Sequence, residues 1–160
     1  AKLAATLRSD HAKSAYASLS SLRDAADAMK RGDLDAAAAA LEWSHANSSF
    51  PALKELAALR LGQVRLAQGK ADEALRLAGE AGVGGFKGLA AELRGDALLA
   101  LDRGVDARAA YEEALASLDA GAPQRAYIEM KRDEAPLAVV PATPATPAAP
   151  LEQPVEKKDS

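Results

Sequence analysis

Small residues return at a fixed interval along this chain, and that interval admits few folds. Gly62 and Gly95, Ala74 and Ala107, and Ala81 and Ala114 are each separated by 33 residues. They lie in the matching segments Leu61-Gly62-x-x-Arg65-x-x-x-Gly69 and Arg94-Gly95-x-x-Leu98-x-x-x-Asp102. A fainter copy with Ala25, Gly32, Ala37 and Leu41 precedes the middle one by 37 residues, the additional residues falling in a loop at 47–50. Self-similarity at such a period marks a stack of supersecondary units. Each unit places a small residue (Ala25, Gly62, Gly95) midway along a first helix and another (Ala37, Ala74, Ala107) early in a second. Antiparallel helices crossing at those points approach closely, and each pair keeps an apolar face for the next pair to cover.

Composition supports helices throughout. Hydrophobic residues make up 49% of the 160, aromatics only 4%, and alanine dominates. Alanine has the highest helix propensity, with leucine, arginine, lysine and glutamate close behind. Periodicity and breakers mark eight helices, at 1–8, 14–31, 34–46, 51–68, 71–80, 86–101, 105–118 and 123–132. Gly32, Gly69 and the run 82–85 stop helices, Asp33 suits an N-cap, and Pro51 suits a first turn. The helix at 1–8 reads as the remnant of a preceding unit and that at 123–132 as a cap. Two parts are expected: a helical repeat domain at 1–132 and a Pro/Ala-rich flexible tail at 133–160, which holds six of the eight prolines. Such a tail lacks the apolar area to fold alone and predicts an extended chain, serving as a spacer or as a ligand for a proline-reading groove.

Several function classes are excluded or disfavoured. The absence of cysteine removes disulfides, zinc–thiolate centres and thiol nucleophiles. A net charge of −3 and a pI near 5.5 argue against a general nucleic-acid binder. No apolar run approaches the roughly 20 residues that span a bilayer, which predicts a soluble chain as it stands. It opens Ala1-Lys2-Leu3 without methionine, so a processed or truncated start is expected, with any membrane anchor upstream. His11 and His45 have no ligand partners at metal spacing, and His45 reads as a surface or capping residue. The run 82–88 lacks the strand and spacing of a phosphate loop and reads as a turn whose glycines serve backbone at positive φ. Adjacent carboxylates such as Glu112-Glu113 and Asp72-Glu73 point about 100° apart on a helix and cannot converge as acid and base. No catalytic constellation, cofactor or metal site is expected.

Period and small-residue positions resemble the tetratricopeptide repeat, with the larger consensus tryptophan replaced by Ser21, Ala58 and Ala91. The resemblance implies an all-α, helical-hairpin solenoid. Residues 53–132 are further similar to the periplasmic domain of the YfgM-type ancillary subunit of the SecYEG translocon. That similarity is carried by Ala58-Leu59-Arg60-Leu61-Gly62-Gln63-Val64, by Ala90-Ala91-Glu92-Leu93-Arg94-Gly95-Asp96-Ala97-Leu98-Leu99, by Ala107-Arg108-Ala109-Ala110-Tyr111-Glu112 and by the Gly-rich turn before Phe86. It implies a periplasmic domain of an inner-membrane protein, associated with SecYEG and with PpiD, a membrane-anchored chaperone of the prolyl-isomerase type. The proline-rich tail departs from that family's pattern.

In repeats of this type the first helices line a concave face. Here those positions read Leu19, Leu22, Ala26 and Met29, then Leu56, Leu59, Gln63 and Leu66, then Leu89, Glu92, Asp96 and Leu99. They predict an apolar groove with an acidic end, suited to an apolar helix or extended segment rather than to an acidic tail. The same leucines fit a sealed core equally well, because an alanine-rich helix has two apolar faces. The expected function is a non-enzymatic interaction module binding a PpiD-type chaperone and emerging polypeptides. The alternative is a stand-alone holdase for unfolded clients.

Overall fold

Three hairpin turns share one backbone solution, and it sets the architecture. Gly32, Gly69 and Asp102 each take a positive φ (75°, 76° and 58°) at the same position of successive units. The amide after each bonds back to the last full turn of its helix: Asp33 to Ala28 at 3.0 Å, Lys70 to Arg65 at 2.8 Å and Arg103 to Leu98 at 2.9 Å. A second bond joins Gly32 to Met29, Gly69 to Leu66 and Asp102 to Leu99, completing a Schellman motif each time. The chain therefore reverses after each first helix with its terminal carbonyls satisfied. In the first unit Asp33 also caps the second helix by accepting from the amide of Ala36.

The computed structural model describes the backbone of residues 2–136 and the side chains of 6–136. The described residues form α1 (Lys2–Asp10), α2 (Ala15–Lys30), α3 (Leu34–Asn47), α4 (Pro51–Ala67), α5 (Ala71–Ala81), α6 (Lys87–Ala100), α7 (Gly104–Ala116) and α8 (Arg125–Glu134). Hairpins α2/α3, α4/α5 and α6/α7 stack through α3 on α4 and α5 on α6, and the first helices also touch, α2 on α4 and α4 on α6. This is the expected all-α repeat, with α1 leaning on α2 and α8 on α7. Ser14, Asp33 and the proline at the start of α4 fix helix N-termini. The part of the proline-rich tail at 137–160 lies outside the described residues. Ahead of it α8 continues to Glu134, Ala135 is buried, and Pro136 packs against Gly104.

Two apolar clusters meet in α6. One runs from Leu22 through Leu41, Leu61 and Leu77 to Ala90 and Leu93; the other joins Ala91 and Leu98 to Tyr111, Leu115 and Ile128. The small residues lie where the repeat places them. A Cβ on Gly62 would stand 3.5 Å from the Ala74 carbonyl and 2.6 Å from Leu93 Cδ2 of the next unit. On Gly95 it would stand 2.6 Å from Cδ1 of the buried Tyr111 ring. The first hairpin closes on serines instead: Ser18, Ser21 and Ser44 are buried, and Ser21 Oγ donates to the Ala40 carbonyl at 2.7 Å.

The connector between α5 and α6 corrects one expectation. None of its glycines occupies the left-handed region, which among the glycines is reserved for Gly32 and Gly69. Close approach does not require them either: a Cβ on Gly84 would meet only the tip of the Glu55 side chain, which can swing aside.

Four substitutions test these positions. Gly95→Ala should destabilise by about 1–3 kcal/mol in denaturant unfolding, because overpacking against Tyr111 outweighs the helix propensity gained. Gly79→Ala, with nothing within 4 Å of its Cβ, should stabilise by up to about 1 kcal/mol. Asp102→Gly should raise the midpoint by relieving the one non-glycine turn, whereas Gly69→Ala should cost about 1 kcal/mol.

Candidate protein-binding face

The first helices place the expected groove residues at matching repeat positions. Leu19, Leu56 and Leu89 correspond, as do Met29, Leu66 and Leu99. In the outer units these side chains are open: Leu19 is 49%, Met29 42%, Leu89 42% and Leu99 39% exposed. In the middle unit Leu56 and Leu66 are half-buried against the first core cluster. Stacking on both sides explains the difference. Leu59, at 3% exposure, is a core residue and cannot line an open groove. Leu22 is 7% exposed, yet its edge reaches a recess of about 270 Å³ between α2 and α4. That recess brings together Leu22, Ala26, Met29 and Gln63, and adds Arg60 and Val64, which the sequence reading did not single out.

The expected acidic end is occupied. Lys131 of α8 places its ammonium 2.8 Å from Glu92 Oε1 and 2.9 Å from Asp96 Oδ2. The Tyr111 hydroxyl donates to Asp96 Oδ1 at 2.8 Å, and the Tyr127 ring centroid lies 4.6 Å from the same ammonium. Glu92 and Asp96 stand one helical turn apart on α6 and form a two-carboxylate seat for one cation. They pin α8 onto the last hairpin, so no free acid remains there for a partner. The signal in the sequence was the Glu92/Asp96 spacing, but the cation lies more than thirty residues away and outside the repeat register.

The remaining polar contacts tie helices together. Arg65 of α4 pairs with Glu42 of α3 and, at 2.9 Å, with Glu73 of α5. Arg94 pairs with Glu113, and Arg8 joins α1 to Asp24 at 2.7 Å. His45 does more than meet solvent or cap: its Nε2 is 2.9 Å from Glu80, and its Nδ1 is 3.4 Å from the Lys54 carbonyl oxygen. Among the described residues no group of three His, Asp or Glu is placed to hold a metal, and no helix is long and apolar enough to cross a membrane.

Burial, followed by the hydrogen bond to Asp96, pushes the Tyr111 phenol far above its ordinary 10.0. For Lys131 burial pulls the ammonium down, but its bonds to Glu92 and Asp96 outweigh this and the net shift is upward. Both folded values exceed the unfolded ones, so the cluster's stabilisation is complete below about pH 10 and is lost as pH rises further. Urea unfolding across pH 8–11 should show a fall in stability beginning near pH 10, shallower in Tyr111→Phe.

The comparisons with known proteins agree with this architecture. The ancillary SecYEG translocon subunit of Escherichia coli strain K12 is 34% identical over 105 residues, which are 66% of this chain and 51% of that protein. The chain thus spans about half the length of the curated relative it matches. No solved structure matches it. The family described as the tetratricopeptide repeat-like domain matches residues 1–136, and the chain belongs to that family.

Proposed function

We propose that this domain is a non-enzymatic docking module of a translocon-associated protein, facing the periplasm from the inner membrane. Its partners on this reading are SecYEG, a PpiD-type chaperone and emerging secreted polypeptides. One observation carries the proposal. Leu19, Met29, Leu89 and Leu99 stay open to solvent on the first helices, at repeat positions that stacking has not covered. Large apolar side chains left open at corresponding positions of α2 and α6 mark candidate contact points for a partner. Because the hairpins hold these side chains on rigid helices, little ordering would be needed on binding. The similarity to a protein named as an ancillary SecYEG translocon subunit supports SecYEG among these partners.

The test uses the exposed positions. Met29→Asp with Leu99→Asp should keep the helical circular dichroism at a cost of about 1–2 kcal/mol per site, since both side chains are partly open but each lies in the last turn of its helix, where an acid opposes the dipole. Binding to the purified periplasmic part of a PpiD-type chaperone should weaken at least about tenfold. Unchanged binding would remove the groove from the proposal. Leu59→Asp is the contrasting variant and should unfold the domain, because it buries an unpaired charge. Suppression of client aggregation without saturable binding to the chaperone would favour the holdase reading instead.

A further inference from the structure

The open recess between α2 and α4 presents a charge opposite to the one the groove sequence suggests. Among the described residues every arginine except Arg23, Arg31 and Arg60 has a carboxylate within 4.0 Å. Arg31 sits at the end of α2 and lines a different recess, with Arg8 and Trp43. Arg23 and Arg60 are another matter. Each lies two residues before the small residue of its first helix, Ala25 and Gly62, so they hold one repeat position in adjacent units. The third unit has the buried Leu93 there, which confines this positive charge to the α2–α4 half of the face.

Arg60 lines the recess beside the apolar side chains of Leu22, Ala26 and Met29. Gln63, one turn further along α4, is exposed on the same wall, and neither side chain has a partner among the described residues. The nearby acids on α2 are engaged, Asp24 with Arg8 and Asp27 with Lys30. The acids of α6 are engaged with Lys131. An unmatched guanidinium next to an apolar hollow favours a ligand that supplies a carboxylate and an apolar group side by side, because a planar fork pairs with a carboxylate and is only weakly hydrated.

We infer that the recess receives an amphipathic helical segment of a partner protein, whose apolar side chain enters between α2 and α4 while a neighbouring Asp or Glu side chain pairs with Arg60. On a helix, residues three or four apart stand about 5–6 Å from one another, which suits the adjacency of Met29 and Arg60 in one recess. Gln63 is placed to bond a polar group of the same segment. The inference rests on the docking reading above and adds the sign of the charge that the partner must bring.

Two acetylated and amidated peptides test it, with the same leucine stripe flanked by glutamates in one and lysines in the other. Fluorescence anisotropy with the whole chain should give the glutamate peptide at least about fivefold tighter binding, decreasing as salt is raised. Arg60→Glu, at an exposed site, should invert that order with the circular dichroism unchanged. Equal affinity for both peptides, or an order that Arg60→Glu leaves intact, overturns the acidic-partner inference while the docking face stands. Failure of the wild-type chain to bind either peptide overturns the docking reading itself, and the inference with it.

Discussion

Two helices can come only as near as the side chains between them permit, and this chain is built on removing those side chains at regular points. Gly62 lies against the Ala74 carbonyl of its own hairpin and against Leu93 of the next, so one missing Cβ serves packing within a unit and between units. Gly95 leaves room for the close approach of the Tyr111 ring, the bulkiest fully buried side chain. The rest of the core is mostly alanine and leucine, each alanine burying little area, so stability accumulates over many short contacts. A stack of this kind is held by its nearest-neighbour interfaces, and α6 is pivotal because both apolar clusters run through it.

Sequence and structure agree most closely where local chemistry decides. Every helix boundary falls within two residues of its expected place, because Gly32, Gly69, Asp33 and Pro51 act on their own backbone whatever surrounds them. Asp102 shows the limit of that logic: it adopts the same left-handed turn as two glycines, and only its place in the repeat hints at it. Fractional burial was not legible. Leu59 and Leu66 sit on the same helix, yet one is core and the other only half-buried against the same cluster. The Lys131 seat was hidden for another reason, since α8 follows no repeat register and its cation meets acids 35 and 39 residues earlier.

That seat changes the electrostatic character of the whole face. Read along α6, Glu92 and Asp96 look like an acidic terminus to the groove. Once Lys131 bridges them, their charge is spent in fastening the cap, and two acids held by one cation and a phenol form a closed polar cluster. Unpaired guanidinium groups stand instead on α2 and α4, where the repeat sets Arg23 and Arg60 at the same point of two neighbouring helices. A face that reads as acidic at one end in the sequence has those acids paired in the structure and an unpaired arginine, Arg60, at the recess between α2 and α4.

The gradient of exposure along the first helices has the same origin. An inner hairpin has neighbours on both sides, which half-cover Leu56 and Leu66, while the flanking units leave Leu19, Met29, Leu89 and Leu99 open. Large apolar contacts are therefore available at two separated patches, with Arg60 and Gln63 of α4 between them. A partner small enough to meet only the middle would find mostly polar atoms and covered leucines. One that bridges α2 and α6 would gather apolar area at each end and polar contacts between, which favours an elongated segment over a compact surface knob.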